Sequence, residues 1–239
     1  MKKILFFVFS VFMCLSVAAQ TEVNKKLMQN LKNELSDISQ KKIEIKDIAF
    51  NADGHWLIIF GDIGYSYSYL PTPIEDLLGK LNSEGTQINS SCLLSDTSWV
   101  LFYGDGKYSS VGLPQDIANE LSRVKSKGKV CGLAAKGGAS VVRYGNNGFA
   151  AKSAPSSMLK KLAEINKRHV KIRDIQFVGS GNGWILLYGD KGLAFQNLPE
   201  GLAECLKNHV KKGRKVNIVR SYGDYWIVVY DGYKVETNI

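Results

Sequence analysis

The sequence predicts an α+β tandem-repeat protein in which five α-β-β-β units close into one ring. Three observations predict this fold. An aromatic-led apolar run recurs along the chain, a proline follows four of its copies at one fixed distance, and an unattached helix precedes the first strands. Because one unit of this size cannot cover its own apolar face, neighbouring units are expected to cover it.

The apolar run begins at Trp56 and recurs from Trp99, Trp184 and Trp226, with a degenerate copy from Ser140. The spacings between these starts are 43, 41, 44 and 42 residues. Each run is short, lacks alternation and is rich in β-branched and aromatic residues, which indicates a strand buried on both faces. Fifteen residues after the first four starts stand Pro71, Pro114, Pro155 and Pro199.

The other elements of the unit are read around this run. A first strand, such as Ile45 to Phe50, precedes it, and a Gly-Asp-x-Gly turn follows it before a more polar third strand. An amphipathic helix then leads into the next unit. In the first of these linking helices, Thr72 and Glu75 are expected to form a capping box around Pro73 at the first helical position.

The first and last units differ in where the repeat of helix and strands begins and ends. The last unit ends after its third strand, whereas an extra helix with apolar positions at Leu27, Leu31, Leu35 and Ile38 stands before the first strand. We expect this helix to pack beside the last unit and close the ring. The single repeat domain then covers 20–239, in units of approximately 22–70, 71–113, 114–154, 155–198 and 199–239.

The N-terminus resembles a secretory signal peptide. Lys2 and Lys3 precede an apolar run of about 14 residues that ends in small residues, so the predicted signal peptide is 1–19, with cleavage after Ala19. The run is shorter than the roughly 20 residues of a membrane span, which disfavours an anchor. We therefore expect an exported protein, periplasmic or secreted, without a transmembrane segment after cleavage.

Three cysteines remain in the predicted mature chain: Cys92, Cys131 and Cys205. Buried free thiols are favoured, because three cysteines are not a disulfide framework. A Cys92–Cys131 bridge stays an alternative. The mature chain would hold 29 Lys and Arg against 22 Asp and Glu, a net charge of about +7.

At the level of architecture, the aromatic-anchored strands that end in Gly-Asp resemble the blades of a β-propeller-like repeat protein. The resemblance covers the whole mature chain and implies a propeller-like ring. Departures are the missing Gly-His and Trp-Asp dipeptides and a helix in place of a fourth strand. The pentein ring of amidino-group enzymes is the alternative, similar only in its five-fold count, since Cys205 lies inside a predicted helix.

No catalytic motif or cofactor motif is present, so no catalytic residue, cofactor or metal is predicted. His169 and His209 are read as equivalent helix ends, where an imidazolium favours the helix dipole. In the degenerate third unit, Ser140 replaces tryptophan and Arg143 replaces an apolar residue among small residues. A charged guanidinium there needs a partner, which makes Arg143 and Ser140 candidate anion contacts.

Two further sets of residues are candidates for ligand contact. The first is a stripe of Tyr65, Tyr67 and Tyr69 on the third strand of the first unit, a composition that suits carbohydrate or peptide contact. The second is a rim of polar residues after each buried strand: Asp62, Asp105, Asn146, Asp190 and Asp231. The competing interpretations are helix packing over the tyrosines and ordinary turn formation by Asp and Asn.

Basic residues crowd the helix ends and the links to the next strands. They are Lys41, Lys42, Lys125, Lys127, Lys129, Lys167, Arg168, Lys171, Lys211, Lys212, Arg214 and Lys215. In a ring these ends would share one side and concentrate positive potential there. We therefore expect a non-catalytic binding or scaffold module for an anionic envelope polysaccharide or another acidic polymer, not for nucleic acid. A hydrolase that uses a rim carboxylate or the third-unit groove, and a protein–protein interaction platform, are the alternatives. The oligomeric state is not predicted.

Overall fold

The computed structural model describes residues 2–179 and 182–239, with side chains from residue 21 onwards within those ranges. It confirms five repeated α-β-β-β units. The helices of the described residues are α1 (Lys2–Gln40), α2 (Thr72–Ser83), α3 (Gln115–Lys125), α4 (Ser156–Lys167) and α5 (Glu200–Lys211). The predicted signal peptide, 1–19, lies outside the residues whose side chains are described.

Each unit contributes one three-stranded antiparallel sheet in which the strands follow chain order. The strands are β1 (Ile45–Phe50), β2 (Trp56–Phe60), β3 (Gly64–Tyr67); β4 (Ile88–Ser95), β5 (Ser98–Tyr103), β6 (Lys107–Val111); β7 (Val130–Lys136), β8 (Ala139–Tyr144), β9 (Gly148–Lys152); β10 (Ile172–Val178), β11 (Gly183–Tyr188), β12 (Gly192–Gln196); and β13 (Val216–Tyr222), β14 (Tyr225–Tyr230), β15 (Lys234–Thr237).

The middle strand of each sheet is buried on both faces, as its unbroken apolar run predicts. In β2, Leu57 and Ile59 pack into the apolar cluster shared with the second unit, whereas Ile58 packs into the cluster shared with α1 and the fifth unit. The tryptophans follow the same rule: Trp56, Trp99 and Trp184 are buried, and Trp226 is half-buried. They contribute core area rather than an exposed stacking surface.

The helices fill the boundaries between sheets. For example, Ile74, Leu78 and Leu81 of α2 contact strands of the first and second units. The predicted capping box is wrong. Pro71 occupies the N-cap, Thr72 is already inside the helix, and no side chain caps this end. Pro71 has an extended backbone, with φ −62° and ψ 144°, and the helix begins at Thr72, one residue earlier than the box requires.

Every first strand carries a β-bulge near its start. The register with the second strand shifts between Ile45 and Asp47, Ile88 and Ser90, Val130 and Gly132, Ile172 and Asp174, and Val216 and Ile218. A bulge changes the direction of the side chains that follow it. The five first strands also contact one another in sequence, β1 with β4, β4 with β7, β7 with β10 and β10 with β13, and β13 contacts β1.

Helix α1 packs on the first and fifth sheets together. Its residues Leu31 and Leu35 share one apolar cluster with Trp56 of the first unit and with Ile218 and Val229 of the fifth. The backbone repeats the same junction at two boundaries: the amide of Ile172 donates to the carbonyl of Asn146, and the amide of Ile45 donates to that of Gly232. The expected contact between the first helix and the last unit is therefore present.

Among the described residues, none of the helices has an apolar stretch long enough for it to cross a membrane.

Truncation of Leu31 tests the contact between α1 and the fifth unit. Because this side chain is 0% exposed, Leu31→Ala is expected to lower the free energy of unfolding by about 2–5 kcal/mol. Lys26→Ala, on the exposed side of the same helix, is the matched control and should change little. Urea denaturation followed by tryptophan fluorescence measures both. Equal midpoints for Leu31→Ala and the control would contradict this role of α1.

Candidate functional site

A cavity of about 430 Å³ lies between the C-terminal ends of the five first strands. Because each unit contributes the same part of its sheet, the cavity has contributions from all five units. The described residues that line it are Ile48, Ala49, Phe50, Asn51, Ala52, Ser91, Cys92, Leu93, Leu94, Leu133, Ala134, Ala135, Lys136, Gly137, Ile175, Gln176, Phe177, Arg220, Ser221, Tyr222 and Gly223. Its walls are mixed, with apolar side chains and a few polar groups, as in many small-molecule sites.

The floor of the cavity is a buried ion-pair network centred on Arg220. One guanidinium nitrogen of Arg220 lies 2.5 Å from a carboxylate oxygen of Asp47, and another lies 2.5 Å from one of Asp174. The third guanidinium nitrogen, Nε, donates to the backbone carbonyl of Ile48 at 2.6 Å. The three side chains come from the first, fourth and fifth units, so this network joins units that are distant in sequence.

The second and third units complete the network. The backbone amide of Ser91 donates to Asp47 at 2.7 Å, and the guanidinium of Arg143 lies 3.8 Å from Asp174. Arg143 also donates to the backbone carbonyls of Ile172 and Arg173. The side chain of Arg143 passes over Gly132, where a Cβ would lie only 2.4 Å from a guanidinium nitrogen. Two carboxylates and two guanidinium groups therefore balance in charge.

Burial and charge act against each other on these groups. Burial raises the pKa of Asp47, and the positive charge of Arg220 acts in the opposite direction. Burial alone would lower the pKa of Arg220, but Asp174 and Asp47 more than offset it and raise the pKa. Arg220 thus stays charged, and both carboxylates serve as its counter-ions.

The mouth of the cavity is aromatic and carries one unpaired cation. The rings of Phe50 and Tyr222 stack with centroids 5.6 Å apart, and Phe177 adds a third ring. Lys136, at the end of β7, makes no ion pair with any described residue, and partial burial lowers its pKa. The mouth can therefore hold an apolar body beside a negatively charged group.

The third-unit candidates have internal contacts. The guanidinium of Arg143 donates to the network described above. Its side chain occupies the space beside the small residue Gly132. Ser140 is buried and pairs in register with Ala135 and Lys152 of the neighbouring strands. Arg143 contacts an anion, Asp174, but that anion belongs to the protein.

The three tyrosines do not form one uniform stripe. The rings of Tyr65 and Tyr67 are 6.2 Å apart, but Tyr65 packs against the cluster between the first two units. Tyr69 lies beyond the end of β3, with its ring 5.0 Å from that of His55. Tyr67 and Tyr69 are 36% and 48% exposed, so these two remain available for surface contacts.

The five rim residues occupy equivalent turns after the middle strands, and none joins another in a metal-binding group among the described residues. Instead, four carboxylates pair with lysines. Asp62 pairs with Lys46, Asp105 with Lys129, Asp190 with Lys215 and Asp231 with Lys234, while the backbone carbonyl of Asn146 binds Ile172. The hydrogen bond and charge of Lys215 lower the pKa of Asp190.

These pairs reduce the predicted basic surface without neutralising it. Lys129 and Lys215 are paired with the rim, and Arg214 lies over the ring of Tyr230 at 4.9 Å. The other nine make no ion pair within the described part of the chain: Lys41, Lys42, Lys125, Lys127, Lys167, Arg168, Lys171, Lys211 and Lys212. We call these nine residues the basic end; they precede the first strands, opposite the ends that line the cavity.

The three cysteines whose side chains are described are free thiols, so Cys92 and Cys131 are not bridged. Cys205 is buried and the other two are half-buried. Burial raises the pKa of Cys92 to about 12, and burial together with the carboxylate of Glu236 does the same for Cys205. These thiols are protonated at neutral pH, which makes them poor nucleophiles.

The sequence interpretation missed Asp47, Asp174 and Arg220. A signal was present, because the first strands of units one and four share an Ile-basic-Asp-Ile pattern at 45–48 and 172–175. Charged residues inside a short apolar strand need partners when buried. Which partner each would find could not be read from the pattern, since the partners lie up to 173 residues apart.

Comparison with known proteins gives an architectural likeness only. No family model and no curated protein matches the chain. Among solved structures, the chain is similar to one described as "YCF48 bound to D1 peptide", with a TM-score of 0.31 and 11% sequence identity. The similarity covers 82% of this chain and 64% of that chain, so this protein spans less than two thirds of that length. The fold thus defines a tandem-repeat protein of five α-β-β-β units, each with a three-stranded antiparallel sheet.

Removal of Arg220 tests the network. Arg220→Met leaves Asp47 buried without a counter-ion and leaves Asp174 only Arg143, at 3.8 Å, so the free energy of unfolding is expected to fall by about 3–5 kcal/mol at neutral pH. The carboxyl of Asp47 would then have a higher pKa in the folded state than in the unfolded chain, because burial raises its pKa and Arg220 no longer opposes that effect. The folded state would bind more protons, so the loss of stability should shrink as pH falls from about 7 to about 5.

The matched control is Arg123→Met, because Arg123 forms an exposed pair with Glu120 on α3 and its loss should matter little. A second variant, Arg220→Met with Asp47→Asn and Asp174→Asn, should recover much of the stability and lose the pH dependence. Chemical denaturation across this pH range measures all three. A pH-independent loss in Arg220→Met would refute the assignment of counter-ions.

Proposed function

We propose that the protein is a non-catalytic binding module whose five units close into a propeller-like ring around the cavity. The observation that carries the proposal is the cavity itself, with wall residues from all five first strands and an unpaired Lys136 at its mouth. Ring closure is supported by the contact of β13 with β1 and by α1, which packs on the first and fifth sheets.

A small molecule or chain end with an apolar body and one acidic group fits this cavity best. The volume of about 430 Å³ falls within the range of small-ligand pockets. Stacked aromatic rings offer flat apolar area at the mouth, and Lys136 offers a cation that no described residue neutralises. The floor adds no net charge, because the two carboxylates there are balanced by Arg220 and Arg143.

Binding is favoured over hydrolysis by the state of the floor carboxylates. Asp47 and Asp174 converge on Arg220, at 2.5 Å each, so neither is a free base that could activate water. The thiol of Cys92, which lines the cavity, is also protonated at neutral pH, since burial raises its pKa to about 12. Export to the periplasm or beyond stays part of the proposal and rests on the predicted signal peptide alone.

The probe for this proposal is anilinonaphthalenesulfonate, which combines an aromatic body with one anionic group. The folded protein should bind it with enhanced fluorescence at a single site. Gln176→Trp, which adds a ring to the cavity wall, should abolish binding. Lys136→Met keeps the apolar stem and removes the charge, so it should weaken binding roughly threefold, in line with an ion pair that contributes below about 1 kcal/mol.

Lys127→Met is the matched control because it removes an unpaired lysine from the basic end, away from the cavity. Its affinity for the probe should equal that of the wild type. If Gln176→Trp binds the probe unchanged, or if Lys127→Met and Lys136→Met weaken binding equally, the cavity is not the site.

The basic end supports a second candidate, binding of an acidic polymer such as an anionic envelope polysaccharide. Nine basic side chains without ion pairs precede the first strands, and clustered cations attract polyanions in a salt-dependent manner. The exposed side chains of Tyr67 and Tyr69 offer further surface for sugar contacts. They lie at the third strand of the first unit, away from the basic end.

Heparin is a suitable model polyanion for this candidate. Lys127→Glu, Lys211→Glu and Lys212→Glu together should lower the salt concentration that elutes the protein from immobilised heparin. The charge-matched control changes exposed lysines elsewhere on the helices: Lys26→Glu, Lys160→Glu and Lys207→Glu. Equal shifts for the two triple variants would mean that net charge, rather than the basic end, determines binding.

A further inference from the structure

Three ligand-type side chains meet at one place in the fifth unit, outside the cavity. The sulfur of Cys205, a ring nitrogen of His209 and a carboxylate oxygen of Glu236 all lie within 4.8 Å of one another. Cys205 and His209 are one helical turn apart on α5, so they share a face, and Glu236 reaches them from β15. No other such group occurs among the described residues.

His209 occupies a position that is apolar in the other units. A backbone hydrogen bond at the helix ends identifies the equivalent residues. In four helices, one carbonyl near the end accepts a hydrogen bond from the amide five residues later, and the residues that carry this carbonyl are Ile38, Leu81, Ile165 and His209. His169, by contrast, matches Gly85 and Gly213, since all three lie four residues after that position with positive φ. His169 and His209 therefore lie at the C-terminal ends of corresponding helices but not at the same position of the repeat.

Glu236 is the second departure from the repeat. It pairs in register with Val228 of β14, and the corresponding third-strand residues of the other units are Ser66, Ser109, Ala150 and Ala194. The fifth unit therefore has a carboxylate, Glu236, where the other units have a small residue. The same unit has an imidazole, His209, where the others have an apolar residue. Two independent polar replacements thus meet each other and Cys205.

The imidazole of His209 has no hydrogen-bond partner, although it is only 1% exposed. Its Nε2 lies 3.2 Å from a carboxylate oxygen of Glu236, but neither ring nitrogen makes a hydrogen bond with a described residue. A buried nitrogen without a partner is costly.

We propose that Cys205, His209 and Glu236 form a binding site for a transition-metal ion of the zinc class. Zinc takes thiolate, imidazole and carboxylate ligands at about 2.0–2.3 Å, so the three ligand atoms need to move closer by little more than an ångström. Three protein ligands leave one position of a tetrahedral ion for water. Glu236, with its side chain 48% exposed, gives the ion a route from solvent.

The groups around the site set its strength. The ring of Tyr230 lies 4.3 Å from that of His209, and the charged groups of Arg214 and Lys234 lie over the Tyr230 ring at 4.9 Å and 5.8 Å. Lys212 is also close enough to act on His209. These cations oppose a divalent ion. The carboxylate of Glu236 attracts it, as does the thiolate of Cys205 that forms when the ion displaces the thiol proton, so the ion needs all three ligands for tight binding.

Metal titration of the purified protein tests the proposal. Zinc should bind at one equivalent in competition with a chromophoric chelator, and it should raise the melting temperature. Cobalt should give a thiolate-to-metal charge-transfer band that Cys205→Ser removes. Glu236→Gln, at a half-exposed position that does not threaten folding, should weaken zinc binding at least about tenfold, because even indirect partners of a metal contribute that much.

Cys131→Ser and His169→Gln are the matched controls, since they remove a thiol and an imidazole elsewhere in the fold. Both should bind zinc and cobalt as the wild type does. The proposal is overturned if the wild type binds no stoichiometric zinc, if Glu236→Gln binds it equally well, or if the cobalt band persists in Cys205→Ser.

Discussion

The buried charge network at the cavity floor is the constraint on which this fold depends. First strands that face one another present sheet edges with unpaired backbone groups, and such groups are costly when buried. Arginine has five donors in a planar fork. Arg220 binds the carbonyl of Ile48, Arg143 binds those of Ile172 and Arg173, and Arg173 binds that of Val216. The carboxylates of Asp47 and Asp174 then balance the charges of Arg220 and Arg143.

This solution has a geometric consequence. The network occupies the part of the first strands nearest their bulges, so the strand ends beyond it remain free to line a cavity. A neutral, fully bonded floor does not attract ions by itself. Selectivity therefore falls to the mouth, where aromatic rings and Lys136 are not engaged in the network. The same charges that join the units thus decide which part of the molecule is available for a ligand.

Repetition makes departures from the repeat informative. Most positions have one physical task in every unit, such as filling a boundary with an apolar helix residue. Where one unit has a side chain of a different chemical type, a second unusual side chain in contact with it indicates that the two residues have a specific role. Arg143 opposite Gly132 is one such pair and serves the network. His209 with Glu236 is another, and these two side chains meet each other and Cys205.

The sequence by itself determined the repeat, its strands and helices, and the burial of the middle strands, because local periodicity and fixed spacing contain that information. It also indicated that the first helix contacts the last unit. It did not reveal the Asp47–Arg220–Asp174 network, the internal use of Arg143, or the meeting of Cys205 with His209 and Glu236. Those depend on side chains from distant units that approach only when the sheets assemble. Tertiary structure alone decided them, since proximity in space is not encoded in any local pattern.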